Sequence, residues 1–232
     1  MMKKTILFCI LMLIISVNVS AHDAWIEKKG NNFNVVYGHG VETESYVSDK
    51  VKEVKAYDAN GNIVQAVIEK EGYPVIIKPK GNAAVITLYF DNGFWSKTPD
   101  GWKNKPKKEQ PDAVESSHSV KCSKAMSAWS DKLSKPLGMK MEIVPLSNPF
   151  LVKAGGSLPI KVFLDGKPAE GASVNIGGYH KEDMKTDRNG MADVKIEKTG
   201  SQIIAASIKI PLKDNPNADI LSISTNITFE VK

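Results

Sequence analysis

The run Ala84-Val85-Ile86-Thr87-Leu88-Tyr89-Phe90 decides the fold class of this chain. It is apolar almost throughout, rich in β-branched and aromatic residues, and too short for a buried helix. Such a run reads as a central strand covered on both faces. Upstream, Val51–Tyr57 alternates as Val-Lys-Glu-Val-Lys-Ala-Tyr, then the turn Asp58-Ala59-Asn60-Gly61-Asn62 leads into Ile63–Glu69. Asn-Gly supplies the positive φ that a tight turn needs. Asn34–Tyr37 and Pro74–Lys78 are further short strands.

Downstream the character changes. Asp91–Asp112 carries Gly93, Pro99, Gly101, Pro106 and Pro111, which break regular structure. It reads as a long loop, and Phe94, Trp95 and Trp102 imply that it packs down on the body. The lysines of the 97–108 stretch are interrupted by prolines and tryptophan, so a solvated face is expected. Residues 113–133 are expected to form one short helical segment, because Val114, His118, Cys122, Ala125 and Trp129 recur at roughly helical spacing. Pro136 and Gly138 mark a boundary.

Beyond it come Met141–Pro145, Leu158–Leu164, Ala172–Ile176, Ala192–Ile196, Ile203–Ile210 and Ile220–Val231. Short strands at this spacing fit an immunoglobulin-like sandwich, although no cysteine pair or core tryptophan marks an antibody-type domain. The expected architecture is all-β: an N-terminal β-sandwich domain at 22–138 and an immunoglobulin-like domain at 139–232.

The first 21 residues read as a targeting segment. Lys3 and Lys4 precede the apolar run Thr5–Val19, which is shorter than the roughly 20 residues a membrane span requires. Val19-Ser20-Ala21 then offers small residues at a signal-peptidase site. Cleavage after Ala21 would make His22 the first residue of a periplasmic protein. Cys9 would leave with the signal, and Cys122 would be the sole cysteine, so no internal disulfide forms. The net charge of +5 falls to about +3 without Lys3 and Lys4. No basic stripe interleaved with aromatics is present, which argues against nucleic acid as a partner.

No nucleophile elbow, phosphate loop, dinucleotide fingerprint or His-Glu-x-x-His is present, so the chain is not expected to be an enzyme. The histidines carry the chemistry. An N-terminal His22 would offer its α-amine and its imidazole Nδ1 to one ion. His39 sits in Val36-Tyr37-Gly38-His39-Gly40, flanked by glycines at a strand end. If the strand from Trp25 forms a hairpin with Asn34–Tyr37 around Lys28–Asn32, the two histidines meet. Such nitrogen donors suit Ni²⁺, Co²⁺, Cu²⁺ and Zn²⁺ rather than Ca²⁺ or Mg²⁺. His118 is a candidate third ligand. His180, after Gly177-Gly178-Tyr179, reads as a solvated loop histidine.

A set of motifs runs along the chain: Ala-His-Asp-x-Trp at 21–25, Tyr-Gly-His-Gly at 37–40 and Asp-Asn-Gly-Phe-Trp-Ser-Lys-Thr-Pro-Asp-Gly-Trp at 91–102. The Lys121–Ala125 region and Gly-Met-Lys-Met-Glu-Ile-Val-Pro at 138–145 follow, the latter leading into Asn-Pro-Phe. Asp-Gly-Lys-Pro-Ala-Glu-Gly-Ala at 165–172 and Thr-Asp-Arg-Asn-Gly at 186–190 complete the set. Together these resemble the bacterial periplasmic nickel/cobalt-uptake component family, domain-of-unknown-function proteins found beside energy-coupling-factor nickel/cobalt transporters. The resemblance implies a periplasmic accessory that binds Ni²⁺ or Co²⁺ as cargo at His22 and His39, with His118 on a looser match. It also implies a membrane permease complex as partner, with membrane association only through that partner. Copper handling, a metal-free cell-envelope interaction module and an oxidative copper enzyme acting on polysaccharide are the rival expectations.

Overall fold

The computed structural model describes residues 22–39, 42–177 and 184–232. The proposed signal segment, its junction at Ala21, and His180 lie outside the described residues. In the first half the strands are β1 (Asp23–Lys29), β2 (Asn32–His39), β3 (Glu42–Thr43), β4 (Val51–Tyr57), β5 (Ile63–Val64), β6 (Ala66–Glu69), β7 (Ile76–Pro79), β8 (Val85–Thr98), β9 (Gly101–Lys103) and β10 (Glu115–Met126). In the second half they are β11 (Met141–Pro145), β12 (Ser157–Leu164), β13 (Lys167–Pro168), β14 (Ser173–Ile176), β15 (Met184–Lys185), β16 (Met191–Lys195), β17 (Gly200–Pro211) and β18 (Ile220–Val231). The all-β expectation holds. Among the described residues, no helix is long and apolar enough to cross a membrane.

Three sheets stack in layers. The central sheet runs β15-β14-β17-β18-β10-β8-β4-β5, with β9 added to β8. On one face lies the sheet β1-β2-β7-β6, with β3 beside β2. On the other lies β11-β12-β13, with β16 beside β12. Period-two alternation builds both cores from the same strands. On β8, Ile86, Leu88 and Phe90 face the first sheet, packed with Ala24, Ile26, Phe33, Val35 and Ile77. Val85, Val120, Cys122, Ile223 and Ile227 face the other way, against Met141, Ile143, Leu158 and Ile160. Ala84–Phe90 is thus central and covered on both faces, as its composition implies. Each fully buried Ile, Leu or Phe contributes about 1.5–3 kcal/mol.

The central sheet takes strands from both sides of the expected boundary at 138. β10 pairs with β18 in parallel, from Ser117↔Ile220 to Ala125↔Thr228. The two halves therefore share one layer.

Two local expectations are corrected. Residues 113–133 do not form an α-helix: Glu115–Met126 is β10, paired with β8 on one side and β18 on the other, and only a 3-10 turn at Asp131–Ser134 follows. The positions at helical spacing do not share a strand face: Cys122, with Val120 and Met126, enters one core and Ala125 the other. The serines are poor in helix interiors, and Ser117, Ser119 and Ser123 share one face of the strand. The stretch 91–112 is not a plain loop either. β8 continues to Thr98 through a bulge at Asn92, with Gly93 at φ +80°, and turns back into β9 with Ser96↔Lys103 and Thr98↔Gly101. A bulge inserts one residue without ending the strand, so a glycine there does not break it.

Candidate functional site

β1 and β2 form a hairpin with Trp25↔Val36, Glu27↔Asn34 and Asp23↔Gly38, turning at Gly30 with φ +62°. This register brings His22 beside His39, with ring centroids 4.2 Å apart at 38°. Tyr37 stacks on the His22 ring at 5.2 Å and 15°. β3 pairs along β2, and the Glu44 amide donates to the Tyr37 carbonyl at 2.8 Å. The Glu44 carboxylate then lies 2.7 Å from His22 Nε2. That contact occupies Nε2 and leaves Nδ1, the nitrogen nearest the residue's own backbone amine.

Gly38 makes the close pairing possible. Its φ is +151°, and a Cβ placed there would lie 2.1 Å from the Glu42 carbonyl oxygen and 2.9 Å from Thr43 Cα. Gly38→Ala should cost about 2–3 kcal/mol and push β3, with Glu44, away from His22. Urea denaturation measures the first effect.

Beneath the histidines, Tyr37 stacks on Phe90 at 5.4 Å and its hydroxyl donates to Asn92 Oδ1 at 3.3 Å. Lys50 Nζ donates to the same oxygen at 2.7 Å and lies 5.7 Å from the Tyr37 ring centre. Burial raises the Tyr37 phenol above its ordinary value; Asn92 opposes this, while Glu44 and Asp23 add to it. Burial lowers Lys50, opposed by the Asp91 charge.

The hairpin is held from the far end of the chain. β1 is the edge of its sheet, and an edge strand leaves backbone groups in need of partners. β18 supplies them through its alternating polar residues. Asn226 Nδ2 donates to the Ala24 carbonyl at 2.8 Å and Thr228 Oγ1 to the Ile26 carbonyl at 3.0 Å. Ser224 Oγ donates to Asp23 Oδ1 at 2.8 Å, with Lys121 Nζ 3.6 Å from the same oxygen. Asp23 and Lys121 are both buried. His22 thus follows directly from a fixed, buried anchor. The alternation Ser222-Ile223-Ser224-Thr225-Asn226-Ile227-Thr228 was the signal in the sequence, but it reads there as a solvent face.

His118 is not brought to His22 and His39. Its neighbours Ser117 and Ser119 face the side of the sheet that carries His22, so His118 faces the opposite layer. There its Nε2 lies 2.8 Å from Asp91 Oδ1 and its ring stacks on Phe94 at 4.5 Å. Cys122 faces the same way and is buried, its thiol pushed up to about 11 by burial. In protein beginning at His22, Cys122 should resist iodoacetamide at neutral pH while folded and react as one thiol after denaturation, because the thiolate is the reactive form. Mass spectrometry reads both.

A cleft of about 310 Å³ opens beside His22 and Tyr37. Its floor is Ser117 and Ser119 of β10 with Ile220 and Ser222 of β18, and the indoles of Trp95 and Trp102 wall it. Glu44, Asn92 and this cleft were not singled out in the sequence. Glu44 and the cleft are brought to His22 by strand pairings that carry no motif, and Asn92, though within the 91–102 motif, is brought to Tyr37 by a bulge.

Two imidazoles with a carboxylate behind one of them form a nitrogen-rich donor set suited to divalent transition metals. A carboxylate that holds the far ring nitrogen of a ligating histidine fixes its orientation and raises its basicity. Among the described residues, no three His, Cys, Asp or Glu side chains converge to hold an ion. Side chains alone would therefore leave a bound metal short of donors.

An uncharacterized protein of Haemophilus influenzae (strain ATCC 51907 / DSM 11121 / KW20 / Rd) is 27% identical over 216 residues, covering 92% of each chain. No solved structure matches the chain. Residues 19–210 match the family described as a domain of unknown function, DUF4198, and that span includes the hairpin, the cleft floor on β10 and most of the second half. The chain belongs to the DUF4198 family.

Proposed function

We propose that this protein is a periplasmic carrier of a divalent transition metal, nickel first and cobalt second, which captures the ion and passes it to a membrane permease without catalysing a reaction. The observation that carries the reading is the contact of His22 with His39 while Glu44 occupies His22 Nε2. Cleavage after Ala21 is part of the proposal. It would free the His22 α-amine, which with Nδ1 closes a six-membered chelate ring on one ion. His39 then adds a third nitrogen. An α-amine titrates near about 7.7–8.0, so a metal displaces its proton at small cost at neutral pH.

Protein beginning at His22 should bind one equivalent of Ni²⁺ in calorimetry. Protein with one alanine added before His22 keeps the imidazole but displaces the amine, and should bind far more weakly. Equal affinities would refute the terminal chelate. Glu44→Gln should weaken binding by about 10–100-fold, the usual effect of losing the carboxylate behind a ligating histidine. Copper exceeds nickel in intrinsic affinity for such donors. A parallel Cu²⁺ titration, together with the metal recovered from protein isolated from the periplasm, decides which ion is the cargo.

A further inference from the structure

The cleft beside His22 is electrically polarised along its length. Lys209 of β17 pairs with Ser222, and Ser222 pairs with Ser119, so the lysine stands level with the end of the cleft next to His22. Glu115 pairs with Lys97, which pairs in turn with Trp102, so the carboxylate stands at the other end of the cleft, which the Trp102 indole, two strands away, also lines. Four residues of β10 separate the two levels, about 13 Å of strand. Among the described residues, neither Lys209 nor Glu115 has an ion-pair partner. Between them the floor offers serine hydroxyls, and Trp95 and Trp102 are half-buried with ring surface on the cleft. A pocket of about 310 Å³ has the size of a small-molecule site.

We propose that this cleft binds a basic α-amino acid, its carboxylate toward Lys209 and its cationic head between Glu115 and the indoles. A guanidinium suits the far end best, because it pairs in a fork with a carboxylate and stacks on aromatic rings. In this orientation the ligand's α-amine and carboxylate lie at the His22 end. They supply the further donors that His22 and His39 leave open on a bound metal, so the ion and the amino acid bind together. This second step rests on the metal reading above; the cleft itself does not. Glu115 sets the specificity, since it repels polycarboxylate chelators.

The test is calorimetric titration of L-arginine into protein beginning at His22, with and without one equivalent of Ni²⁺, alongside Ni²⁺ alone. Arginine should bind with 1:1 stoichiometry in both conditions and about tenfold more tightly with Ni²⁺ present. L-norleucine, which keeps the chelating end but lacks the cation, should bind at least about tenfold more weakly, as should arginine to Glu115→Gln, because each loses a charged hydrogen bond. Glu115→Gln should leave the affinity for Ni²⁺ alone unchanged. The cleft assignment is overturned if arginine binds in neither condition, if Glu115→Gln is without effect, or if citrate binds more tightly than arginine. The joint binding is overturned if Ni²⁺ binds but leaves arginine affinity unchanged. If Ni²⁺ does not bind at all, the carrier reading falls, and the metal-free arginine titration alone decides the cleft.

Discussion

His39→Ala is expected to weaken Ni²⁺ binding by on the order of 100-fold or more, beyond the 10–100-fold typical of losing an outer-shell partner. The chelate on His22 would retain two nitrogens, and the third would be gone. The hairpin should survive, because His39 is half-buried at the end of β2 while the packing of this sheet comes from Ala24, Ile26, Phe33 and Val35. An unchanged urea midpoint separates lost ligation from lost fold. His118→Ala is the internal control: its ring lies against Phe94 and Asp91 on the other face of the sheet, so the affinity should be unaffected. An equal loss in the two variants would mean that His118 reaches the ion after all and that the hairpin geometry does not define the site.

Glu142→Ala is expected to produce the largest loss of stability, about 3–5 kcal/mol, or a fall in Tm of roughly 6–20 °C for a chain of this size. Lys124 and Glu142 form an ion pair with side chains 2% and 1% exposed. Lys124 also donates to the Ile143 carbonyl at 3.0 Å. The carboxylate of Glu142 accepts from the amides of Leu137 at 2.9 Å, Gly138 at 3.2 Å and Met139 at 3.3 Å. Burial drives the lysine below its ordinary value, and the adjoining carboxylate opposes that by favouring the charged form. Removing the carboxylate strands a buried ammonium and takes the shared acceptor from three part-buried amides at the same time. The pair also fastens the chain where it passes from β10 to β11, so its loss loosens the junction of the two halves. Lys124→Met combined with Glu142→Gln removes both charges and keeps an acceptor for the amides. It should therefore be more stable than Glu142→Ala. Urea unfolding followed by tryptophan fluorescence gives all three values, and a loss below about 1 kcal/mol in Glu142→Ala would show that the pair is dispensable.

Much of the fold was legible because it is written in short-range patterns. Alternation in Val51–Tyr57, the continuous run at Ala84–Phe90 and the Asn-Gly turns identify strands by the face each residue must take. The hairpin of β1 and β2 was legible for the same reason. Its two strands are adjacent in sequence and its turn sets the register, so the meeting of His22 and His39 follows from local chemistry. The segment at 113–133 reads as helical because Val114, Cys122, Ala125 and Trp129 recur at helical spacing, whereas pairing with β8 and β18 on its two sides makes Glu115–Met126 a strand.

The sequence by itself determined an all-β chain and a hairpin that pairs two histidines at one end. Tertiary structure decided the rest. It set β18 parallel to β10 with paired residues 103 positions apart, laid Glu44 on His22 and opened the cleft beside it. The physical reason is that long-range strand pairing is made by backbone amides and carbonyls, which are the same for every residue, so no motif announces it. Ser224, Asn226 and Thr228 look like a solvent face until the edge of β1 lies over them. Lys124 and Glu142 look like surface charges until the third layer closes over them. Their roles come from what covers them, and only the packed layers supply that.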